Sequence, residues 1–288
     1  MLLTKTLRTA TLGAALLVSQ AAVAQTLKTP AASPKQTLEQ DFALSTIKIE
    51  YSRPSAKGRT VFGELVPYGK MWRTGANQST KITFGDDVTI DGKPLKAGTY
   101  ALYTMPNKDS WDIMFYKDLK LGGDVADYKA DQEALRIKAK PSSLGNMVET
   151  FTIGVNDITS TRAVVNIDWE KTRVQFPVTA EIDERIMKNI DLALASDSVP
   201  PYYTAANYYY ENGKDMNKAL EWANKAEAAN PDAFWISHLK AKIQMKLNDY
   251  TGAITSAEKS LAKAREEKSD DFIKMNEKLI AEANQKKK

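Results

Sequence analysis

The chain has 288 residues, a formal net charge of +4 at pH 7, one histidine and no cysteine. This length indicates about two domains, and the near-balanced charge gives no argument for binding to nucleic acid or to an anionic membrane. Without cysteine, and with His238 far from the N-terminal half, a Ser-His-Asp or Cys-His site in that half and a zinc site of His and Cys ligands are excluded. We expect no cofactor and no metal, although sites built only from carboxylates stay open.

The first residues have the pattern of a cleavable secretory signal peptide, residues 1–24. Lys5 and Arg8 precede a run of small and apolar residues that ends in Ala22-Val23-Ala24, which predicts cleavage after Ala24. The run is shorter than the roughly 20 residues that a membrane-spanning helix needs. We therefore expect a periplasmic or extracellular protein without a transmembrane segment.

The pattern of residues 25–180 predicts a leader followed by short strands. Residues 25–40 are polar and contain Pro30 and Pro34, which predicts a flexible leader. From 41 to 180, polar and apolar residues alternate in short runs separated by turns such as Asp91-Gly92-Lys93. Alternation with regular turn signals predicts an antiparallel β-sandwich.

Near Ala180 the hydrophobic period changes. Ile182, Ile186 and Ile190 recur every four residues, which indicates one face of a helix. No strand pattern follows, so residues 181–288 are predicted to be helical. The fold class expected for the chain is therefore α+β with two domains.

The helical part also repeats itself with an offset of 34 residues. The offset maps Asp215 to Asp249, Ala219 to Ala253, Leu220 to Ile254, Ala223 to Ala257 and Lys225 to Lys259. This period and the small residues resemble the tetratricopeptide repeat, in which helix pairs pack closely. The second copy has Arg265 where the first has Pro231, and a generic bundle of helical hairpins is the alternative.

Residues 51–79, which we call the Arg/Trp loop, are the most unusual part of the chain. The loop is rich in glycine, arginine and aromatic residues. Arginine offers a planar fork to carboxylate or phosphate, and Trp and Tyr offer a ring face to a sugar or a cation. The candidate ligand-binding residues are Arg53, Arg59, Tyr68, Trp72, Arg73 and Asn77. The alternative is structural: the arginines would organise the loop, and Trp72 would belong to the core.

The same loop resembles a known family. Its distinctive segments are Arg53-Pro54, Gly58-Arg59, Phe62-Gly63, Val66-Pro67-Tyr68-Gly69, Trp72-Arg73 and Gly75-Ala76-Asn77. Together with the later Gly98-Thr99-Tyr100-Ala101-Leu102-Tyr103 before Trp111, they are similar to bacterial domain of unknown function 2911. The resemblance covers about half of the chain. It implies an exported protein, often with C-terminal helical repeats, and brings no established activity or catalytic residues.

Three other groups of residues were considered for chemistry. Carboxylates at Glu64, Asp86, Asp87, Asp112 and Asp124 lack the spacing of a calcium loop and are candidates only for acid/base catalysis. His238 lies in a predicted helix, where packing or the surface is the ordinary role. Among the clustered tyrosines, Tyr203 and Tyr210 are predicted to be core, and Tyr202 and Tyr209 are the candidates for binding a protein partner.

The favoured function is non-enzymatic: an exported cell-envelope binding or scaffold protein. Its Arg/Trp loop would meet a small-molecule or glycan ligand, and its helical repeats would dock a protein partner. An envelope hydrolase that uses carboxylates, acting on glycans, is the alternative, and a purely structural β domain is a third hypothesis. The missing cysteine and the single histidine favour the binding hypothesis, because they remove the commonest hydrolase sites.

Overall fold

The computed structural model describes residues 29–196 and 201–287. The predicted signal peptide, residues 1–24, and the first part of the predicted leader lie outside the described residues. The described strands are β1 (Lys35–Phe42), β2 (Ser45–Ser52), β3 (Thr80–Phe84), β4 (Val88–Ile90), β5 (Lys93–Leu95), β6 (Gly98–Met105), β7 (Trp111–Tyr116), β8 (Glu133–Ala139), β9 (Ser142–Asn156) and β10 (Arg162–Thr179). The helices that follow are α1 (Asp183–Leu194), α2 (Tyr202–Glu211), α3 (Met216–Ala229), α4 (Phe234–Lys246), α5 (Tyr250–Glu266) and α6 (Asp270–Lys287).

The strands form two antiparallel sheets, which together make the β domain. One sheet has the order β1-β2-β3-β6-β7-β8 and the other has the order β5-β4-β10-β9. Their inner faces share one core, to which Ile49, Phe84 and Phe115 contribute from the first sheet and Ile153 and Phe176 from the second. The alternation along each strand places these residues on one side. The predicted α+β class, with antiparallel sheets followed by helices, is confirmed.

The hairpin β4–β5 belongs to the four-stranded sheet, although in sequence it lies between β3 and β6 of the six-stranded sheet. Two residues, Asp91 and Gly92, join its strands, and both have positive φ, 49° and 75°. That conformation belongs to the two-residue turn whose twist matches a hairpin, and Asp-Gly is a preferred pair for it. The predicted turn is confirmed, and Ile90 then pairs with Val178 of β10.

The predicted leader is wrong over its last six residues. Lys35 to Gln40 belong to β1, which pairs in register with the whole of β2. The strand is at the edge of its sheet and is mostly polar, with Leu38 packed against the core and Phe42 buried in it. Because an edge strand needs few apolar residues, its alternation was too weak to recognise in the sequence.

The outer face of the six-stranded sheet is covered by residues 117–132, which we call the covering loop. Beneath it lie Ala101, Tyr103, Met114 and Tyr116, all buried. The Tyr103 hydroxyl donates a hydrogen bond of 2.7 Å to the carbonyl of Gly122. The β domain is therefore layered, with a loop on one sheet in addition to the core between the sheets.

The helices α1 to α6 make the helical domain. From α2 onwards, consecutive helices pack against each other, and α1 packs against their shared core through residues such as Ile190. The 34-residue offset has a structural counterpart. Asp215 and Asp249 both cap a helix, accepting hydrogen bonds from the backbone of α3 and α5 respectively. The paired positions Ala219 and Ala253 are both fully buried. The structure thus contains the internal repeat, while its assignment to the tetratricopeptide class stays a prediction.

Helix α1 contacts both domains. Ile182, just before it, is buried in the β-domain core, and Ile186 packs against the cores of both domains. On its outer side, Arg185 donates two hydrogen bonds to Asp86, of 3.0 and 2.6 Å. The change of period at Ala180 therefore precedes a segment that still completes the β domain.

Candidate functional site

The Arg/Trp loop runs along one end of the sandwich. Two of its arginines hold it in shape through hydrogen bonds. Arg53 donates hydrogen bonds to the carbonyl of Phe151 at 2.9 Å and to the Thr152 hydroxyl at 2.7 Å. Arg59 donates to the carbonyls of Ala56 and Ser55, both at 2.8 Å. A guanidinium has five N–H donors, so a single arginine satisfies several loop acceptors at once. These two arginines are organisers of the loop.

Trp72 belongs to an aromatic cluster between the two sheets. Its ring stacks on Trp169 with centroids 5.8 Å apart and meets Phe151 edge-on at 5.2 Å. The indole N–H donates to the carbonyl of Gly75 at 3.0 Å. Trp72 is half-buried, so most of the ring contributes to the core and one part reaches the surface of the loop.

Arg73 points towards the covering loop. Neighbouring residues of an extended segment face opposite sides of a sheet, and Trp72 pairs with Thr104 of β6 as a strand residue would. The guanidinium lies so close to Gly123 that a Cβ at this glycine would overlap it. Its Nε is buried and has no hydrogen-bond partner among the described residues. The structure therefore separates the functional groups of Trp72 and Arg73.

A cleft of about 390 Å³ opens where the loop meets the end of the sandwich. Among the residues that line it, the charged ones are Lys57, Arg59 and Arg73, and none is a carboxylate. The apolar part of the wall includes Leu65, Trp72 and Trp169. We call this the cationic cleft.

Lys57 is the most available cation of the cationic cleft. Its side chain is exposed, and none of the ion pairs among the described residues includes it, whereas Arg59 is already bound to loop carbonyls. The nearest acidic partner of this residue is Glu149, which accepts a hydrogen bond of 2.6 Å from the backbone N–H of Lys57. The ammonium group is thus left for a ligand.

The predicted ligand-binding residues divide into two groups. Arg59, Trp72 and Arg73 line the cationic cleft, whereas Arg53, Tyr68 and Asn77 do not. Tyr68 is 39% exposed and its ring packs against Gly63. Asn77 donates to the carbonyl of Ser33 at 3.3 Å and to the Ser52 hydroxyl at 3.2 Å, so it ties the loop to the segment before β1.

Sequence reasoning missed several residues of this cleft. Trp169 lies in the middle of β10, and its place in an alternating run is typical of an ordinary core residue. Lys57 has a positive φ of 52° next to Gly58, so it belongs to a turn, and a turn lysine is usually only solvated. Leu65 is 40% exposed, but single exposed apolar residues are common on protein surfaces, so the sequence carries no signal that marks it as part of a site.

Four of the five candidate catalytic carboxylates have another role, and the fifth, Glu64, is exposed. Asp86 is paired with Arg185, whose hydrogen bonds lower the pKa of the carboxyl group, and Asp87 is paired with Lys96, whose hydrogen bond does the same. Asp112 contacts Lys138 at 2.8 Å, and Asp124 accepts from the backbone of the covering loop. A general acid needs a raised pKa, so the shifts at Asp86 and Asp87 run against that role.

In the helical domain, the prediction that Tyr209 is exposed and binds a protein partner is wrong. It is 2% exposed and packs edge-on against Trp222 at 4.7 Å. Tyr202 is half-buried beneath the ammonium group of Lys225, 5.4 Å from its ring centre. Because tyrosines occupy three consecutive positions from Tyr208 to Tyr210, all sides of this helix carry a ring, and the sequence period does not tell which one is buried.

His238 is a packing residue. Its Nδ1 lies 2.7 Å from the Oδ1 of Asn276, and burial lowers the pKa of the imidazole.

Comparison with known proteins agrees with the resemblance seen in the sequence. A family model described as "Protein of unknown function (DUF2911)" matches residues 33–178, half of the chain. The chain belongs to this family. The match spans almost all of the β domain, from just before β1 to β10, including the Arg/Trp loop and the cationic cleft. No curated protein and no solved structure matches.

Within residues 29–196 and 201–287, none of the helices combines the length and apolar character needed to cross a membrane.

Proposed function

We propose that this member of the DUF2911 family is an exported, non-enzymatic binding protein whose β domain takes a small anionic ligand in the cationic cleft. One observation carries the proposal: the charged residues in the described lining of the cleft are all cationic. Lys57 supplies the free ammonium group, whereas the guanidinium of Arg73 lies against Gly123 of the covering loop. Charged groups in a concave site attract ligands of opposite sign more strongly than they do on an open surface. The ligand class is a small carboxylate or phosphate that also carries an apolar or sugar ring.

The wall of the cationic cleft supports the inference that the ligand also carries a ring. The accessible part of Trp72 and the exposed side chain of Leu65 lie beside the cations. A ligand that is only a charge would leave these groups in contact with water. A ring beside the charge would cover Trp72 and Leu65. Uronic acids have both a sugar ring and a carboxylate.

A titration followed by calorimetry tests the proposal on the chain that begins at Gln25. Glucuronate should bind, whereas glucose, which lacks the carboxylate, should not. Lys57→Glu should weaken glucuronate binding by about tenfold or more, since it replaces the free cation with an anion. Lys108→Glu is the matched control: it makes the same change of charge at an exposed lysine outside the cleft, and its affinity should stay within about twofold.

Two results would contradict the proposal. If glucuronate, inorganic phosphate and sulfate all fail to bind, the cationic cleft is not an anion site. If Lys57→Glu and Lys108→Glu weaken binding equally, the attraction comes from the overall charge. The melting temperature of each variant shows that the fold is intact.

Export and partner docking are the other parts of the proposal. The Lys5/Arg8 start, the apolar run and Ala22-Val23-Ala24 support export to the periplasm or beyond, and mass spectrometry of the native protein should find Gln25 at its N-terminus. A protein that retains residues 1–24 would contradict export. The helical domain would dock a protein partner, because stacked helices expose a long surface with few residues committed to the core.

A further inference from the structure

Helices α4 and α6 form the walls of a groove of about 400 Å³ in the helical domain. Its charged lining is mainly basic: Lys242 and Lys246 come from α4, and Lys278 and Lys286 come from α6. Glu282 is the one carboxylate in the lining. No arginine lines it.

Two of the four lysines are free of acidic partners. Lys242 contacts Glu211 at 3.3 Å, and Lys278 lies 3.9 Å from Glu282. Lys246 and Lys286 are exposed, and neither has a carboxylate within 4.0 Å in the part of the chain that the structure describes. Cations gathered in one groove repel each other, and an acidic partner would relieve that repulsion.

The floor of the groove is apolar. Met275 is 40% exposed, and Met245 is half-buried beside Leu279. Methionine adapts its shape to different contacts and is over-used on peptide-binding surfaces. His238 also lines the groove, and its Nδ1 is already bonded to Asn276, so the contact that the floor offers is mainly apolar.

We propose that this groove, between α4 and α6, docks an acidic peptide segment of a partner protein, with an apolar side chain of the segment seated on Met245 and Met275. The inference deepens the proposed docking role of the helical domain, on which it rests, and it is independent of the cationic cleft. A peptide fits better than nucleic acid, whose binding grooves combine cations with open aromatic stacking platforms. Tyr210 and His238 also line the groove, but the Tyr210 ring lies under the ammonium group of Lys242 and His238 is bonded to Asn276. It also fits better than a membrane surface, because a concave wall with a thioether floor accepts a narrow chain.

Fluorescence anisotropy on the chain that begins at Gln25 tests the groove. The probe is a labelled peptide of about ten residues, glutamate at most positions and leucine at every third, which is long enough to span a groove between two helices. The peptide should bind, and added salt should weaken it. The double variant Lys246→Glu/Lys286→Glu should lose about tenfold or more in affinity.

The matched control is Lys188→Glu/Lys274→Glu, which changes the same charge at two exposed helical lysines outside the groove. Its affinity should stay within about twofold. Replacing the leucines of the probe with serine should also weaken binding, because the methionine floor then has no partner. Glucuronate binding should be unaffected by the groove variant, so that failure at one site is distinguished from failure at the other.

Four outcomes would overturn the inference. They are no binding of the peptide, equal loss in the groove variant and its control, no loss on replacing leucine with serine, and binding of anionic vesicles or duplex DNA in place of the peptide. If the peptide binds the helical domain but the groove variant keeps full affinity, this groove is wrong while the broader docking role of the helices stands.

Discussion

The β domain buries large aromatic rings, whereas the helical domain buries alanines. Trp111, Trp169 and Phe151 are among the fully buried side chains of the first, while Ala219 and Ala257 are fully buried in the second. Facing sheets lie about 10 Å apart and need large side chains to fill the space between them. Helices approach to 8–10 Å between axes, where small residues let them come close. The β domain should therefore be most sensitive to the loss of a ring, and the helical domain to the enlargement of a buried alanine.

The largest effect is expected from removing a ring in the β domain. Trp72→Ala should lower the free energy of unfolding by about 3 kcal/mol or more, as large-to-small changes of buried aromatics do, because Trp169 and Phe151 lose their partner. The change is measured by denaturant titration with a β-domain signal.

Trp235→Ala is its control in the helical domain. Trp235 is 40% exposed, so its removal should cost well under half as much. Equal losses in the two variants would contradict the placement of Trp72 in the core and would return it to the surface of the loop.

The next largest effect on stability is expected when the chain is cut at the boundary between the domains. A fragment of residues 29–195 keeps Ile182 and Ile186 on the β-domain core, whereas a fragment of residues 29–180 loses both. Burying an isoleucine contributes about 1.5–3 kcal/mol, so the shorter fragment should be less stable by about 3 kcal/mol. If both fragments melt together, α1 contributes nothing to the β domain and the boundary near Ala180 is the structural one.

Enlarging a side chain should harm the helical domain. Ala257 is fully buried on α5 against Ala241 of α4, so Ala257→Leu should cost about 2 kcal/mol through overpacking. Ala262→Leu makes the same change on an exposed position of α5 and should be nearly neutral. A stable Ala257→Leu would mean that α4 and α5 are less closely packed than described.

Acid should weaken the helical domain through Glu227. Burial raises the pKa of this carboxyl group, but hydrogen bonds from Lys240, Ser237 and Lys259 outweigh it and lower the pKa to about 2. Because the folded pKa lies below the unfolded value of about 4.3, the stabilisation is present above pH about 4.3 and is lost as the pH falls towards 2. Helical melts between pH 5 and 3 should lose on the order of 1–2 kcal/mol, since one pKa unit corresponds to about 1.4 kcal/mol.

Glu227→Gln cannot titrate, and it should lose less stability over the same interval. An acid dependence unchanged in this variant would show that the network around Glu227 is not responsible.

The different packing of the two domains also explains which of their features could be predicted from the sequence. Alanines at a 34-residue offset have one physical role, close helix packing, so Ala219 and Ala253 indicate the repeat directly. Asp91-Gly92 has one favourable backbone conformation, so the hairpin is also readable. Aromatic and arginine residues serve cores, loops and ligands alike, and the Arg/Trp loop was therefore open to two interpretations.

The structure resolves that ambiguity by backbone direction, which composition does not carry. Trp72 faces the core and Arg73 faces the covering loop, although they are neighbours in the sequence. Lys57 becomes important only because the loop brings it beside Trp169, more than a hundred positions away in the chain. A contact of this separation has no local signal, although the other residues that line the cationic cleft come from positions 32–76.

The central claim, that the cationic cleft binds a small anion with a ring, is tested most directly by NMR of the five tryptophan indoles during a glucuronate titration. Trp72 and Trp169 line the cleft, whereas Trp222 and Trp235 lie in the helical domain and serve as internal references. The account predicts saturable shifts at Trp72 and Trp169, none at Trp222 and Trp235, and no shift with glucose or in Lys57→Glu. Saturable binding that leaves Trp72 and Trp169 unmoved, or moves Trp222 and Trp235 instead, would contradict it.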